Sequence, residues 1–117
     1  MIDEMHIVGE VYITGPFGVK EILDKVNKLV KTPEGKEITE GVNKIAPFIE
    51  DGKVTVPISW WVPINSPKAY RTDIENFMKK CVELSLEGEG GVEVHFERRS
   101  FMVDFNAQGT TIWIEDN

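Results

Sequence analysis

The sequence has 117 residues, 41% of them hydrophobic and 28% charged, and these values are typical of a single globular domain, here residues 1–117. The formal charge is −7, and lysine and arginine form no cluster, so direct binding to nucleic acid is disfavoured because contacts to phosphates need clustered cations. No apolar run is long enough to cross a membrane, and the N-terminal residues lack the apolar segment of a secretory signal. The lone cysteine, Cys81, excludes an internal disulfide and fits a reducing compartment, so a cytoplasmic location is expected.

The N-terminal part of the chain predicts a strand followed by two helices. Residues 6–14 alternate between two sets of side chains, as a half-buried strand does. A turn at residues 15–18 leads into a helix over about residues 18–31, whose apolar positions recur at helical spacing, and Thr32-Pro33-Glu34-Gly35 is expected to end it. A weaker helix is predicted over about residues 36–46, and Pro47 stops it.

The most strongly patterned strand is predicted over residues 53–64. Before it come an expected buried plug, Phe48 and Ile49, and a turn, Asp51-Gly52. Pro57 and Pro63 cannot donate a ladder hydrogen bond, so this strand is expected at a sheet edge or to change course at each proline. Because adjacent strand residues point to opposite faces, one of Trp60 and Trp61 is expected in the core and the other outside.

A third helix is predicted to begin at Pro67 or at Thr72. Its buried face is marked by apolar residues at helical spacing: Ile74, Phe77, Met78, Cys81 and Leu84. This placement makes Cys81 a small core residue, not a nucleophile. The glycines in residues 88–91 predict a flexible break after the helix.

The C-terminal part predicts strands joined by short connections. Residues 92–96 alternate with even-numbered apolar positions, whereas the apolar positions after residue 100 are odd-numbered. A strand cannot keep one face buried through such a slip, so residues 97–100 are expected to be a bulge or a tight turn. A hairpin loop at residues 106–109 and a last strand over residues 110–115 complete the chain.

These elements predict an α+β fold of order β-α-α-β-α-β-β, with one strand more if residues 97–100 turn fully. The sheet is expected to be mixed, with an antiparallel C-terminal hairpin and the helices packed on one face.

The strand-to-helix turn is a candidate anion site built from Gly15, Phe17 and Gly18, because free N–H groups at a helix start can bind an anion. The stretch of residues 11–18 resembles the end of the first strand in nucleoside deoxyribosyltransferase-like domains. That resemblance implies a catalytic carboxylate, and the nearest candidate stretch is residues 70–73. The P-loop and dinucleotide-binding patterns are absent, and a turn that needs glycine for its backbone geometry explains the same residues.

Glu93, His95 and Glu97 form the candidate metal site. On a strand these side chains share one face at a spacing of about 7 Å, and an imidazole between carboxylates can begin a Mn, Fe or Zn site. The alternative is an exposed polar face opposite buried apolar residues, which the same alternation produces.

The candidate partner-binding surface combines the two tryptophans with an acid-rich stretch. Tryptophan is enriched at binding hot spots, and an acidic patch can occupy a basic groove on another protein. The predicted set is Trp60, Trp61, Glu83, Glu87 and Glu89. An exterior that is merely solvated explains the acidic residues equally well.

From these patterns the sequence predicts a small, acidic, non-catalytic protein-binding domain that uses no cofactor. Regulators and inhibitors encoded by mobile elements share this profile of size and charge. The expected partner is a protein with a basic surface, with no role for nucleic acid or a membrane. The alternatives are a small nucleotide- or metal-dependent enzyme that uses the turn at 14–18 or the Glu93, His95 and Glu97 face, and a homo-oligomer formed through the proline-flanked edge strand.

Overall fold

The computed structural model describes residues 4–42, 46–66, 68–96, 98–106 and 109–115, the last range for its backbone. Within these residues the strands are β1 (Glu4–Thr14), β2 (Phe48–Glu50), β3 (Lys53–Pro63), β4 (Glu87–Phe96), β5 (Arg99–Asn106) and β6 (Gly109–Glu115). The helices described are α1 (Val19–Leu29), α2 (Pro33–Thr39) and α3 (Ala69–Glu83). The predicted α+β class is confirmed. None of the described helices is long and apolar enough to cross a membrane.

The strands form one six-stranded sheet in the order β2-β3-β1-β4-β5-β6. Every pairing between the described strands is antiparallel, so the prediction of a mixed sheet is wrong in that detail. The reason is the insertion of β2. The helices return the chain to the sheet edge, where β2 runs in the direction of β1, and the following hairpin places β3 between them in the opposite direction.

Short hairpins connect several neighbouring strands. Asp51 and Gly52 have φ angles of 51° and 75°, which is the left-handed geometry of a two-residue hairpin turn and confirms the turn predicted there. Phe96 at the end of β4 pairs with Arg99 at the start of β5, so the chain turns fully between them. The extra-strand alternative is therefore the one that the structure adopts. Asn106 pairs with Gly109 across the last predicted loop.

The helices pack on one face of the sheet, as predicted: α1 on β1 and β3, α2 on β3 and α3, and α3 on β4. The odd-numbered positions of β1 supply aliphatic side chains to this face, and their register partners in β3 and β4 extend it. Ile22, Val26 and Leu29 of α1 cover it from above. Because side chains alternate along each strand, the other face receives the intervening residues.

The helix boundaries differ from the sequence prediction at α2. The Thr32-Pro33 pair, expected to end the first helix, begins the second, because the Thr32 hydroxyl accepts the Gly35 N–H and proline suits the first helical turn. The helix ends at Thr39, and the Gly41 N–H then donates to the Ser59 carbonyl at the edge of β3, 2.8 Å away. Ile45, within the predicted second helix, and Pro67, a predicted helix start, lie outside the described residues.

The glycines expected to form a flexible break lie inside β4 instead. A Cβ atom at Gly90 would clash with the Glu10 carbonyl oxygen of β1, and one at Gly9 would clash with the Gly91 carbonyl oxygen. Glycine is therefore required here because the two strands approach too closely for side chains.

The expected buried plug is also wrong, since Phe48 and Ile49 are 39% and 41% exposed. They belong to β2, a three-residue strand at the edge of the sheet.

Replacing Gly9 by alanine tests the close approach of β1 and β4. We expect Gly9→Ala to lower the free energy of unfolding by about 2 kcal/mol or more, because the new methyl group would meet backbone atoms that cannot move aside. Gly18→Ala is the matched control, since a Cβ there meets nothing within 4 Å, and it should cost no more than about 1 kcal/mol. Urea denaturation of both variants measures the difference, and equal losses would contradict the steric explanation.

Replacing Ser85 by glycine should stabilise the protein. Ser85 has a φ of 59° just after α3, where its N–H bonds to the Val82 carbonyl and the Leu86 N–H bonds to the Cys81 carbonyl. This is the helix-ending motif in which glycine is preferred, so Ser85→Gly should raise the free energy of unfolding by about 0.5–1 kcal/mol. Ser85→Ala keeps the strained conformation and should give no gain in the same thermal or urea denaturation.

Candidate functional site

The sheet face opposite the helices, here called the open face, carries the even-numbered residues of β1 and their register partners. No described helix packs on it. It exposes three large side chains, Tyr12 (37%), Phe48 (39%) and Trp61 (51%). The exposed large aromatic side chains of the described residues therefore all lie on the open face.

Trp60 and Trp61 point to opposite faces, as the alternation of β3 predicts. Trp60 is fully buried on the helix side, whereas Trp61 lies on the open face. The partner-binding hypothesis therefore depends on Trp61, because the indole of Trp60 is closed off from any partner. The prediction that one tryptophan is inside and one outside is confirmed.

Trp61 stacks on His6, its register partner in β1. The ring centroids are 4.2 Å apart and the planes differ by 12°. His6 Nε2 is also within hydrogen-bond distance, 2.8 Å, of the Ser59 hydroxyl on β3. The Trp61 ring is thus held from one side by an imidazole that is itself positioned by a neighbouring side chain.

The prolines of β3 explain why these rings meet. The Ser59 carbonyl points away from β1, toward Gly41, so the odd-numbered residues of β3 direct their backbone groups outward. Pro57 and Pro63 occupy odd positions and remove no bond from the ladder with β1. The same parity makes His6 and Trp61 a non-hydrogen-bonded pair, the kind in which side chains approach most closely.

His95 and Glu93 lie on the open face and bind each other, with His95 Nε2 2.9 Å from Glu93 Oε2. Val92 and Val94 are fully buried on the opposite side, so the predicted alternation of β4 is confirmed. The third predicted ligand, Glu97, lies outside the described residues. Among the residues that are described, no three His, Cys, Asp or Glu side chains are grouped so that they could hold a metal ion.

The acidic residues of the predicted partner-binding set separate onto two surfaces. Glu87 and Glu89 belong to the open face by register, whereas Glu83 is on α3 in the helix layer. Each surface has an ion pair between one of these acids and a lysine: Glu89 lies 3.8 Å from Lys53, and Glu83 lies 3.3 Å from Lys80. The acidic stretch of the sequence is therefore not one continuous patch.

The open face nevertheless has a clear excess of acidic residues. Register places these acids on it: Glu4, Glu10, Glu50, Glu87, Glu89, Glu93 and Asp104. Among the described side chains that the strand register places on this face, Lys53 is the only lysine or arginine. Glu10 accepts the Tyr12 hydroxyl at 2.7 Å, and this hydrogen bond to a carboxylate is the main reason that the pKa of Tyr12 is raised.

An acidic cleft lies between α2 and α3. It encloses about 210 Å³ and is lined by Pro33, Glu34, Glu37, Asp73 and Asn76. Asp73 Oδ2 accepts the indole N–H of Trp60 at 3.0 Å. Burial raises the pKa of Asp73 against the effect of that hydrogen bond, and the nearby Glu37 and Glu40 raise it further. Sequence reasoning missed this cleft, because its acids come from helices that only tertiary packing brings together.

The turn at residues 15–18 is described as a strand-to-helix connection, with Gly18 as the N-cap of α1. Asp73, in the stretch nearest to a deoxyribosyltransferase carboxylate, bonds to Trp60, whose register partner Ile7 is about 25 Å along β1 from Gly15. The turn and this carboxylate therefore do not converge on one site. The anion site of Gly15, Phe17 and Gly18 stays a prediction.

Cys81 is fully buried in the core, as predicted. Burial raises the pKa of its thiol to about 12, so the thiolate needed for nucleophilic chemistry is not formed near neutral pH.

Replacing Asp73 by asparagine tests the linkage between this acid and stability. Because the pKa of Asp73 is raised in the folded state, the native protein holds its proton more tightly, and stability falls as pH rises above about 4. Asp73→Asn keeps an acceptor for Trp60 and should be more stable than the original protein at pH 7, with the difference shrinking toward pH 4.

The control is Asp73→Ala, which leaves the Trp60 N–H without this acceptor and should be less stable than the asparagine variant by about 1–3 kcal/mol at both pH values. Urea denaturation at pH 4 and pH 7 measures both variants. An asparagine variant less stable than the original protein at pH 7 would contradict this interpretation.

No family model, curated protein or solved structure matches the chain. Its function is therefore inferred from its own residues and geometry.

Proposed function

We propose that the protein is a non-catalytic binding domain, a regulator or inhibitor that occupies a basic surface of a partner protein in the cytoplasm through its open face. The observation that carries this proposal is a sheet face on which no described helix packs and on which a half-exposed Trp61 stands among acidic side chains.

The composition of the open face supports binding to a protein. Interfaces are enriched in aromatic residues, and a few of them usually supply most of the binding free energy. Trp61, Tyr12 and Phe48 lie on the same face of the sheet, and the Trp61 ring is already fixed by stacking on His6. A side chain that is ordered before binding loses less conformational entropy in the complex.

The charge of the open face supports a basic partner. Its acidic residues create a field that attracts cationic surfaces and repels nucleic acid. Complementary charge of this kind mainly raises the association rate and the specificity of a complex. The proposed interaction should therefore weaken as the salt concentration rises.

Two matched pairs of substitutions distinguish the open face from the helix layer. Glu89→Lys should weaken binding about tenfold or more, while Glu83→Lys, an equally exposed acid with a similar lysine neighbour, should change it little. Trp61→Ala should cost about 2 kcal/mol of binding free energy, while Val82→Ala, an exposed apolar side chain on α3, should cost less than about 0.5 kcal/mol.

The partner is first captured from a lysate of cells that express the protein, identified by mass spectrometry and purified. Calorimetry with the four variants then measures affinity, and circular dichroism checks that each variant is folded. If the helix-layer substitutions weaken binding as much as those on the open face, the proposed surface is wrong. If no captured protein has an affinity that changes with either pair of substitutions, the proposed function is wrong.

A further inference from the structure

The Trp61 side chain has two distinct ring faces. One is covered by His6, which lies nearly parallel to it at 4.2 Å. The residue is still 51% exposed, so the accessible area lies on the other ring face and the ring edge. That side borders the outer edge of β3, because β2 pairs only with residues from Lys53 to Thr55. A planar group from a partner could therefore stack on Trp61 without displacing any described strand.

Two glutamates lie next to residues of β3 on either side of Trp61 in the sequence. Glu4 lies opposite Pro63, two residues beyond Trp61. On the other side, Glu40 is followed directly by Gly41, whose N–H is bonded to the Ser59 carbonyl, two residues before Trp61. Glu4 and Glu40 are close enough to interact: after burial and Glu37, Glu4 is a further cause of the raised pKa of Glu40.

We infer that the accessible ring face of Trp61 receives an arginine side chain of the partner protein, which stacks on the indole and pairs with Glu4 and Glu40. This inference rests on the proposed function and names the chemical group that the open face recognises.

Arginine fits this arrangement better than other groups that stack on tryptophan. Its planar guanidinium can lie parallel to the indole, extending the stack of Trp61 on His6, while its N–H donors remain free to pair with carboxylates nearby. A lysine ammonium is a point charge without a planar surface. A nucleic-acid base could also stack, but its phosphates would meet Glu4, Glu40 and the acidic open face.

Nuclear magnetic resonance of the full chain, labelled with ¹⁵N, tests the inference with a defined probe. The probe is a capped octapeptide of alternating arginine and glycine, compared with matched peptides that contain citrulline or lysine and with an octamer of thymidylate. The arginine peptide should shift the indole N–H signal of Trp61 and leave that of Trp60, which is buried and bonded to Asp73, nearly unchanged. The citrulline peptide and the oligonucleotide should not bind, and the lysine peptide should bind more weakly.

Three variants locate the site. Trp61→Leu should weaken binding of the arginine peptide about fivefold or more. The double variant Glu4→Gln with Glu40→Gln removes charge without removing bulk and should have a similar effect, which keeps the test valid if the tryptophan variant does not fold. Val82→Ala, on the helix layer, should leave the affinity within about twofold.

Binding of the citrulline peptide or the oligonucleotide as tightly as the arginine peptide would overturn the inference, as would an affinity unaffected by Trp61→Leu and the double variant. The proposed function fails separately. If a purified partner depends on Glu89 while the arginine peptide ignores Trp61, the binding face stands and the arginine site is wrong. If the peptide binds at Trp61 but no protein partner depends on the open face, the arginine site stands and the proposed function is wrong.

Discussion

The register of β1 between β3 and β4 is the constraint on which the structure depends. β1 is paired on both sides along most of its length, and its odd-numbered residues face the helices while its even-numbered residues face away. A slip by one residue would move every aliphatic side chain to the wrong face. A Cβ atom at Gly9 or Gly90 would clash with a backbone carbonyl of the neighbouring strand, so β1 and β4 can approach this closely only because these two residues lack side chains. This requirement favours the observed register.

The same register builds the candidate site. His6 and Ser59 are 53 residues apart in the chain, and Trp61 meets His6 only because β3 lies antiparallel beside β1 in this alignment. His95 stands opposite His6 on the other side of β1, so one row across the sheet runs from Trp61 through His6 to His95 and Ser100. The burial of Ile7 and Trp60 on one face thus determines which polar and aromatic groups become neighbours on the other.

Features that depend only on residues close together in the sequence were predicted correctly. The alternation in β3 predicted one tryptophan inside and one outside, and the apolar stripe of α1 predicted its buried face. The stretch of residues 88–91 was misinterpreted because its glycines serve contacts with β1 that are distant in the sequence. The Thr32-Pro33 pair was assigned to the wrong helix because the same residues can end one helix or begin the next. The partnership of Trp61 with His6 could not be predicted, since a single sequence does not specify which strands align.

The arrangement of charge on the open face also follows from this register. Glu10 lies opposite Pro57 and Gly91, Glu93 opposite Val8 and Met102, and Glu89 opposite Tyr12 and Asn106. Directly opposed like charges destabilise a sheet, and this alignment places neutral residues across from these acids. The face can therefore hold an excess of carboxylates at little cost to folding. The repulsion that remains acts between acids that lie farther apart. A sheet that is stabilised on its helix side can in this way keep its other side charged, aromatic and accessible.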